Sequence, residues 1–307
     1  MTQAEDFLVE IGTEELPPKD LATLSDAFAN SLQSSLTENN ITFDNNIKVY
    51  ASPRRLAVLI PQVSTQQPTQ TINKRGPAMA AAYNADGTPT KAALGFAESC
   101  GVKMQDLSVQ ETDKGKWLYS SQQVPGSKTV ELLPLFVEKA LQQLPIKKRM
   151  RWGIGEHAFV RPIHWVLMLY GKNVVHAIIS GIATGDVTYG HRIHHPEAIT
   201  IALPNIYEDK LEQEGCVIAN FAKRQQLIKQ GIIDLAQKEH AEPVIDQALL
   251  DLVTGLVEFP IALLATFAAD FLRVPKECLI SAMQDHQKCF ALLDKHGYLL
   301  PKFILIS

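Results

Sequence analysis

Three groups of residues in this sequence have the types and spacing that catalysis or ligand binding needs. The first is a pair of adjacent acids, Glu14 and Glu15, in the stretch EIGTEELPP at residues 10–18. Paired carboxylates can supply a general acid and base, or oxygen ligands for a metal ion. Acids are also common in the first turn of a helix, a position that prolines suit. Because adjacent side chains diverge on a helix, we predict that Glu14 and Glu15 begin a helix and share neither a proton nor a metal.

The second group is the histidine-rich stretch GHRIHHP at residues 190–196. His191, His194 and His195 would present three imidazoles to a zinc ion if the segment were helical. In an extended chain only His191 and His195 share a face. The flanking glycine and proline favour a loop or a short strand, and no cysteine lies nearby in the sequence. We therefore predict no metal site, and expect His191 and Arg192 to contact a phosphate or to stabilise a turn.

The third group consists of basic clusters in the middle of the chain. The stretch KKRMRWG at residues 147–153 places four cations within five positions, directly before Trp152. Lysine and arginine neutralise phosphates, and an aromatic side chain can stack on an exposed base. SPRR at residues 52–55 and KRGP at residues 74–77 repeat this composition. A solvated basic face would explain any one cluster, but together they predict nucleic-acid contact. The candidate contacts are Arg54, Arg55, Lys74, Arg75, Lys147, Lys148, Arg149, Arg151, Arg161 and Arg192.

The charge of the chain is distributed unevenly along its 307 residues. Residues 1–44 contain nine acids and one lysine, and residues 45–203 contain eighteen lysine and arginine residues against ten acids. Residues 204–307 contain ten against fourteen, so the net charge of −4 divides into −8, +8 and −4. A basic middle between acidic flanks indicates a localised surface for a polyanion. Such sums can also fold into mixed surfaces, so the pattern supports nucleic-acid contact only together with the clusters.

Composition is typical of a soluble cytoplasmic protein. Hydrophobic residues make up 46% of the chain and charged residues 20%, which is enough for a substantial core. The four cysteines are scattered without a C-x-x-C pair, as reduced thiols would be. The first residues lack the basic and apolar regions of a signal peptide. Three acids and a proline interrupt the most apolar later stretch, residues 249–272, so we expect no membrane partner.

Apolar periodicity predicts the elements that must position these residues. The opening unit reads β-α-β-β, with strands over 7–11, 47–50 and 56–60 and a helix with apolar residues at Leu21, Leu24, Phe28, Leu32 and Leu36. The polar stretch at residues 62–73 predicts a linker or long loop. The later elements are two short alanine-rich helices, strands over 106–111 and 117–124, a helix over 130–144, a hairpin of 163–170 and 174–179, a long helix behind the cap candidate Asn220, and a strand in the closing PKFILIS.

These elements predict an α/β fold of the α+β type, with mixed sheets and packed helices. We expect three domains: an N-terminal β-α-β-β unit at residues 1–65, a basic α/β region at residues 66–200, and a helix-rich α/β region at residues 201–307. Because the final predicted strand has no turn or polar tail after it, we expect this chain to be a piece of a longer protein.

Several long and unusual stretches resemble one known family. They are FLVEIGTEELPP, SPRRLAV, KRGPA, MRWG followed by FVRPIHW, GHR, LVTGLVEFP, HQKCFALLD and PKFI. In this order, from Phe7 to the last residue, they are similar to the β subunit of bacterial glycyl-tRNA synthetase. Composition and spacing by themselves would not have indicated glycine.

The resemblance implies an N-terminal part of the tRNA-binding subunit of an α2β2 heterotetramer. In this family the α subunit activates glycine with ATP and Mg²⁺, so this chain would hold no cofactor and contribute no catalytic residue. Residues 66–200 would be similar to the editing-type domain of the phenylalanyl-tRNA synthetase large subunit. The family's HD-type and anticodon-binding domains would lie outside this sequence. The expected partners are the α subunit and glycine tRNA, with no DNA.

We therefore expect the basic middle of this chain to hold the tRNA backbone while the α subunit carries out the ligation. Two alternatives stay open. One is a metal-dependent hydrolase that uses GHRIHH, and the other is a scaffold that docks the α subunit without contacting tRNA.

Overall fold

The computed structural model describes residues 3–84, 87–112, 115–153 and 155–307. These residues contain eight α-helices: α1 (Leu21–Glu38), α2 (Met79–Ala82), α3 (Lys91–Cys100), α4 (Thr129–Gln143), α5 (Tyr207–Gln213), α6 (Phe221–Lys238), α7 (Gln247–Thr254) and α8 (Lys276–Ser281). None of these helices is both long and apolar enough to cross a membrane.

The same residues contain strands of two to ten residues. In chain order they are β1 (Ala4–Thr13), β2 (Lys48–Ser52), β3 (Arg55–Ser64), β4 (Gln70–Ala78), β5 (Ser108–Thr112), β6 (Gly115–Val124), β7 (Met150–Arg151), β8 (Ala158–Phe159), β9 (Ile163–Tyr170), β10 (Asn173–Val174), β11 (Ile178–Ile179), β12 (Ile182–Gly185), β13 (Val187–Tyr189), β14 (Ala198–Thr200), β15 (Glu242–Pro243), β16 (Ala262–Thr266), β17 (Phe290–Leu293) and β18 (Leu299–Ile306). The mixture of several sheets and helices confirms the α+β class.

The chain divides into two compact units. Residues 1–65 and 130–307 form the larger unit, and residues 66–129 form the smaller one. The three domains expected from the sequence stay a prediction. The opening β-α-β-β order is confirmed, because β1, α1, β2 and β3 follow one another.

A mixed sheet organises the larger unit, with strands in the order β11-β12-β9-β1-β3-β2 and β10 paired to β9. Strand β1 lies inside this sheet, antiparallel to both β3 and β9. Phe7 and Val9 of β1 point into one core, and Leu8 points into another, so both faces of the strand are buried. A strand that is buried on both sides has apolar residues at successive positions, as in the stretch FLVEI, where Glu10 is the one exception.

Helix α1 packs on the first of these faces. Its apolar residues recur at helical spacing, and each is at most 1% exposed: Leu21, Leu24, Phe28, Leu32 and Leu36. Full burial of such a side chain stabilises the fold by about 1.5–3 kcal/mol. Helix α4 contributes to the same core through Leu133, Val137 and Ala140. The predicted helices over these two segments are therefore confirmed, and α4 spans residues 129–143 where 130–144 was expected.

The region at residues 201–307 supplies two further pieces of the larger unit. Helix α5 covers the second face of the main sheet through Tyr207 and Leu211. Helices α6 and α7 pack against a four-stranded sheet, β15-β17-β18-β16, in a third core that includes Ile228 and Phe290. The predicted cap of α6 is confirmed, since the Asn220 side chain accepts a hydrogen bond from the Lys223 amide at 3.0 Å.

The predicted linker at residues 62–73 is wrong over most of its length. Strand β3 continues to Ser64, and β4 begins at Gln70. Strand β4 pairs along its length with β6, from Gln70–Val124 to Ala78–Trp117. Polar residues such as glutamine and threonine enter strands readily when a partner strand accepts their backbone hydrogen bonds. The sequence pattern of one segment does not contain that information.

Gly12 in β1 makes room for the indole of Trp165 on the neighbouring strand β9. The two residues are paired in the register, and a Cβ atom on Gly12 would lie 1.9 Å from Cε2 of the indole. Backbone and ring can approach this closely only where the residue has no side chain. The indole therefore lies across β1 and reaches the carboxylate of Glu10.

We predict that Gly12→Ala destabilises the larger unit by about 1–3 kcal/mol or more, because the indole must move out of a packed site. Gly95→Ala is the matched control: Gly95 lies in α3 with no heavy atom within 4 Å of the added carbon. That exchange is expected to leave stability unchanged or to raise it by up to about 1 kcal/mol. Urea unfolding followed by circular dichroism measures both, and equal midpoints for the two variants would contradict the packing argument.

Candidate functional site

The acids Glu14 and Glu15 do not begin a helix, so that prediction is wrong. They lie in the loop that follows β1, and α1 starts at Leu21. The amide of Leu16, two residues on from Glu14, donates to the Pro53 carbonyl at 2.6 Å, and two prolines follow. The residue before a proline is disfavoured in the helical region, which keeps the chain extended here.

Both acids bind the same cation, Arg192. The Arg192 guanidinium donates to Glu14 Oε2 and lies 2.8 Å from Glu15 Oε1. The other oxygen of Glu14 lies 2.9 Å from Nε2 of His164. The hydrogen bond from Arg192, opposed by partial burial and supported by His164, holds the pKa of Glu14 below its usual value. Glu14 is therefore an engaged carboxylate and is poorly suited to accept a proton from a substrate.

A buried charge network lies next to this surface cluster. The Glu10 carboxylate accepts from Trp165 Nε1 at 2.5 Å and from Thr188 Oγ1 at 2.7 Å. Arg55 lies with its Nη1 atom 3.8 Å from Glu10 and its Nε atom 3.3 Å from Glu258. Burial by itself lowers the pKa of Arg55, but the two carboxylates outweigh it and raise the pKa above its usual value. The two carboxylates thus stabilise a charged arginine in a position that solvent does not reach.

Arg55 is therefore removed from the candidate phosphate contacts. Its side chain is 0% exposed, and its guanidinium also donates to Ser52 Oγ at 3.0 Å and to the Tyr189 carbonyl at 2.9 Å. A phosphate has no path to a side chain that solvent does not reach. The residue belongs to the core of the larger unit.

Arg54 lies on the opposite side of the same turn and faces a surface cleft. Its guanidinium is 5.6 Å from the centre of the Trp165 ring, and its buried Nε atom has no hydrogen-bond partner among the residues that the structure describes. Partial burial, then the nearby charge of Arg192, lowers the pKa of Arg54. The cleft has a volume of about 250 Å³ and is lined by Arg54, His164, Trp165, Tyr189, Gly190, Arg192 and Pro196.

The histidines of GHRIHHP stabilise a turn. Nδ1 of His191 accepts from the amides of Ile193 and His194, each at 3.2 Å. His195 lies with Nδ1 3.6 Å from Glu197. Throughout the described ranges, no three His, Cys, Asp or Glu side chains are grouped as a metal site would require. The turn places Arg192 between the two acids, which is a structural role.

The cations at residues 147–151 divide into one structural residue and three exposed ones. Arg149 donates to the carbonyls of Gln142 at 2.9 Å and Leu141 at 3.2 Å, at the end of α4. Those carbonyls have no partner within the helix, and a cation at this end also complements the helix dipole. Lys147, Lys148 and Arg151 are exposed, and no described carboxylate lies within 4.0 Å of them.

The remaining candidates have separate environments. Arg161 donates to the backbone carbonyls of Glu15 at 3.0 Å and Val160 at 2.9 Å. Lys74 and Arg75 lie on β4 of the smaller unit, where Lys74 Nζ is 3.2 Å from the Ser99 carbonyl. The structure thus brings Arg54, Arg161 and Arg192 to the loop that carries the paired acids.

Comparison with known proteins gives the family. The family described as "Glycyl-tRNA synthetase beta subunit" matches residues 7–307. The chain belongs to this family. It is 45% identical over 303 residues to the glycine–tRNA ligase beta subunit of Coxiella burnetii (strain RSA 493 / Nine Mile phase I), and 47% identical over 304 residues to those of Marinobacter nauticus and Pseudomonas putida KT2440. Each match covers 99% of this chain and 44% of the relative, so the chain spans less than half the length of these proteins.

The segments in which the glycyl-tRNA synthetase resemblance was found meet in the charge network and the cleft. FLVEIGTEELPP supplies Glu10 and Glu14, FVRPIHW supplies Trp165, GHR supplies Arg192 and LVTGLVEFP supplies Glu258. The sequence did contain a signal for the buried members that we missed. Glu10 and Glu258 are single acids inside apolar runs, a position that requires a buried partner.

A second missed residue is Arg224 of α6. It is completely buried and donates to the carbonyls of Thr254 at 3.0 Å, Ala51 at 2.8 Å and Ile218. Burial lowers its pKa to about 10, so it is still charged at neutral pH. Arg224 lies four residues before the buried Ile228, on the apolar stripe of the helix, and this position was the available signal.

We predict that Arg55→Ala destabilises the larger unit by about 3–5 kcal/mol, because it leaves Glu10 and Glu258 as buried, uncompensated charges. Arg54→Ala is the matched control on the adjacent residue, and is expected to cost less than about 1 kcal/mol. Urea unfolding at pH 7 measures both. Similar losses for the two variants would show that Arg55 is not the buried charge that the network needs.

Acid should break the ion pair between Glu14 and Arg192 at the surface. Since the pKa of Glu14 is lowered in the folded state, the Glu14–Arg192 pair stabilises the fold above the ordinary carboxyl pKa and is lost as the pH falls through the lowered value. Glu14→Gln is therefore expected to be less stable than the wild type at pH 7, by under about 1 kcal/mol, and to match it near pH 2. Stability measured across that range tests this, with Glu98→Gln, an exposed acid on α3, as the control. A constant difference between wild type and Glu14→Gln would contradict it.

Proposed function

We propose that this chain is the part of a glycyl-tRNA synthetase β subunit that holds the tRNA backbone during aminoacylation. The proposal places it in the cytoplasm, in an α2β2 heterotetramer with the α subunit. Glycine activation with ATP and Mg²⁺ takes place on the α subunit, and this chain by itself is inactive as a ligase. Its contribution is orientation of the tRNA, which lowers the entropic part of the barrier without a reactive side chain.

The observation that supports this proposal most directly is the exposed group of Lys147, Lys148 and Arg151. A surface cation with a carboxylate partner is already neutralised and gains little from a phosphate, whereas these three have no such partner among the described residues. Phosphate contacts by such cations release counterions from the nucleic acid. The chain here is also anchored, because Arg149 fixes it to the end of α4. An anchored loop loses less conformational entropy when it binds.

The other candidates fit the proposal to different degrees. Lys74 and Arg75 are exposed on β4 and stay proposed contacts. Arg54 faces the cleft and also stays one. Arg192 is neutralised by two acids and Arg161 is bound to carbonyls, so we assign them to the positioning of the loop.

The carboxylates of Glu10 and Glu14 do not favour a chemical role for this chain. Both oxygens of Glu14 are engaged by Arg192 and His164, and both oxygens of Glu10 accept from Thr188 while one also accepts from Trp165. A general base needs a free oxygen within hydrogen-bond reach of the substrate proton. This arrangement supports a positioning subunit over a hydrolase.

A second candidate function is docking of the α subunit without tRNA contact. It is favoured by an apolar cavity of about 530 Å³ in the larger unit, lined by residues that include Leu256, Phe271 and Leu305. Phe271 is 57% exposed and Ile261, nearby in the sequence, is 51% exposed. Exposed apolar groups of this size are typical of surfaces that another protein covers. A measurement of tRNA binding distinguishes the two functions, since only the first requires that the chain binds tRNA.

We predict that Lys147→Glu/Lys148→Glu/Arg151→Glu weakens binding of labelled glycine tRNA and lowers the slope of log affinity against log salt by about 2–3, since each lost phosphate contact removes slightly less than one. Lys229→Glu/Lys238→Glu/Lys295→Glu is the control, because it makes the same change in net charge at three exposed lysines elsewhere. Fluorescence anisotropy of the 307-residue chain across a salt series measures both. Equal slopes in the two folded variants would remove this surface from the tRNA interface, and absence of any tRNA binding would favour the docking function.

A further inference from the structure

Helices α2 and α3 cover one face of the three-stranded sheet of the smaller unit, β4-β6-β5. Leu118 of β6 packs there against Ala82 of α2 and Ala93 of α3. Lys74 and Gln122 lie on this face too, since both donate to carbonyls at the end of α3. Side chains alternate along a strand, so the odd-numbered residues of β6 and, up to the register shift after Arg75, of β4 form the opposite face with the even-numbered residues of β5.

That opposite face combines aromatic, amide, hydroxyl and guanidinium groups. The register places Tyr119 between Arg75 of β4 and Ser108 of β5, Trp117 beside Gln110, and Asn73 beside Ser121. The polar members are exposed to solvent, and the two rings are partly exposed. The core of a small sheet normally buries aliphatic groups, whereas this face presents rings surrounded by hydrogen-bonding groups. It therefore has the composition of a binding surface.

The charge on this face favours an anion. The only carboxylate of β4, β5 and β6, all within the described residues, is Glu111, which lies on the helix-covered side and pairs with Lys116 at 3.2 Å. Arg75 lies with its guanidinium carbon 4.8 Å from the centre of the Trp117 ring. A guanidinium in this position both strengthens stacking and supplies donors to a phosphate. The indole Nε1 of Trp117 is buried and has no hydrogen-bond partner among the described residues.

We propose that this face of β4-β6-β5 is a stacking platform for unpaired nucleotides of RNA. Trp117 and Tyr119 are two residues apart on one strand, about 7 Å from each other, so each can take one base. Unpaired bases are recognised by stacking on aromatic rings of an open sheet, and neighbouring polar groups bind the base edges and the 2′-hydroxyl. Arg75 contacts the backbone between them. The proposal extends the proposed tRNA-binding function and relies on it for the identity of the RNA.

The experiment compares two fluorescent probes on the 307-residue chain: an unstructured ten-nucleotide oligocytidylate RNA and the blunt duplex of that strand with its complement. The single strand is expected to bind more tightly than the duplex, because only the single strand has free base faces. Trp117→Ala/Tyr119→Ala should weaken its binding at least tenfold. Trp117→Phe/Tyr119→Phe should stay within about threefold of the wild type, since a phenyl ring still stacks. Tyr298→Ala, which removes an exposed tyrosine of the larger unit, is the control and should bind as the wild type does.

A second readout decides the question even if the alanine variant fails to fold. The single strand should quench tryptophan fluorescence in the wild type, and Trp117→Phe should bind the RNA but lose most of that quenching. The proposal is wrong if a folded alanine variant binds the single strand normally, if quenching persists in Trp117→Phe, or if the wild type does not bind the single strand. Lys147→Glu/Lys148→Glu/Arg151→Glu separates the two proposals: it should weaken tRNA binding and leave oligonucleotide binding unchanged. If that variant binds tRNA more weakly, but the wild type does not bind the single strand through Trp117 and Tyr119, only the proposal of the stacking platform is wrong.

Discussion

The buried guanidinium of Arg55 is the interaction on which the arrangement of the larger unit depends. A cation without solvent must find charged or hydrogen-bonding partners, because a buried charge without them costs several kcal/mol. Here the partners are Glu10 on β1, Thr188 on β13 and Glu258 after α7. These elements are far apart in the chain, and their shared contacts with one buried charge determine how they pack together. Replacement of the network by apolar residues of the same volume would not necessarily cost stability, so its clearest effect is on which arrangement is adopted.

The surface cleft adjoins the buried charge network, because Trp165 lines the cleft and donates a hydrogen bond to Glu10. The Trp165 ring lies near both neighbouring arginines, with its centre 5.6 Å from the guanidinium of Arg54 and 5.9 Å from that of Arg55. Its indole N–H is bound to the buried Glu10, so the ring cannot turn without breaking that hydrogen bond. Arg54 therefore packs against an aromatic ring whose orientation is fixed. The buried charges thereby position a cation that solvent, and a ligand, can reach.

Arginine has three distinct uses among the described residues, and only the third, exposure to solvent as in Arg151, leaves its charge available. Arg55 pairs with buried carboxylates, while Arg149 and Arg224 donate to backbone carbonyls that lack other partners. A planar group with five donors suits such carbonyl clusters better than a lysine would. Because Arg55 and Arg149 are among the cations of residues 45–203, the positive sum over that range overstates the positive surface. The exposed Lys147 and Lys148 describe the charge that a phosphate would contact better than that sum does.

The family and several of the local elements could be predicted from the sequence. Apolar spacing located α1 and the buried strand β1, and Asn220 marked the start of α6, because periodicity and capping act within a few residues. The tertiary structure decided which charges are buried, which are neutralised and which are free. Glu10 meets Thr188 across 178 residues and Arg55 meets Glu258 across 203. Adjacent residues such as Arg54 and Arg55 look alike in sequence, yet one faces a cleft and the other the core. Their environments come from distant segments, and electrostatic energy depends on those environments far more than on the residue type.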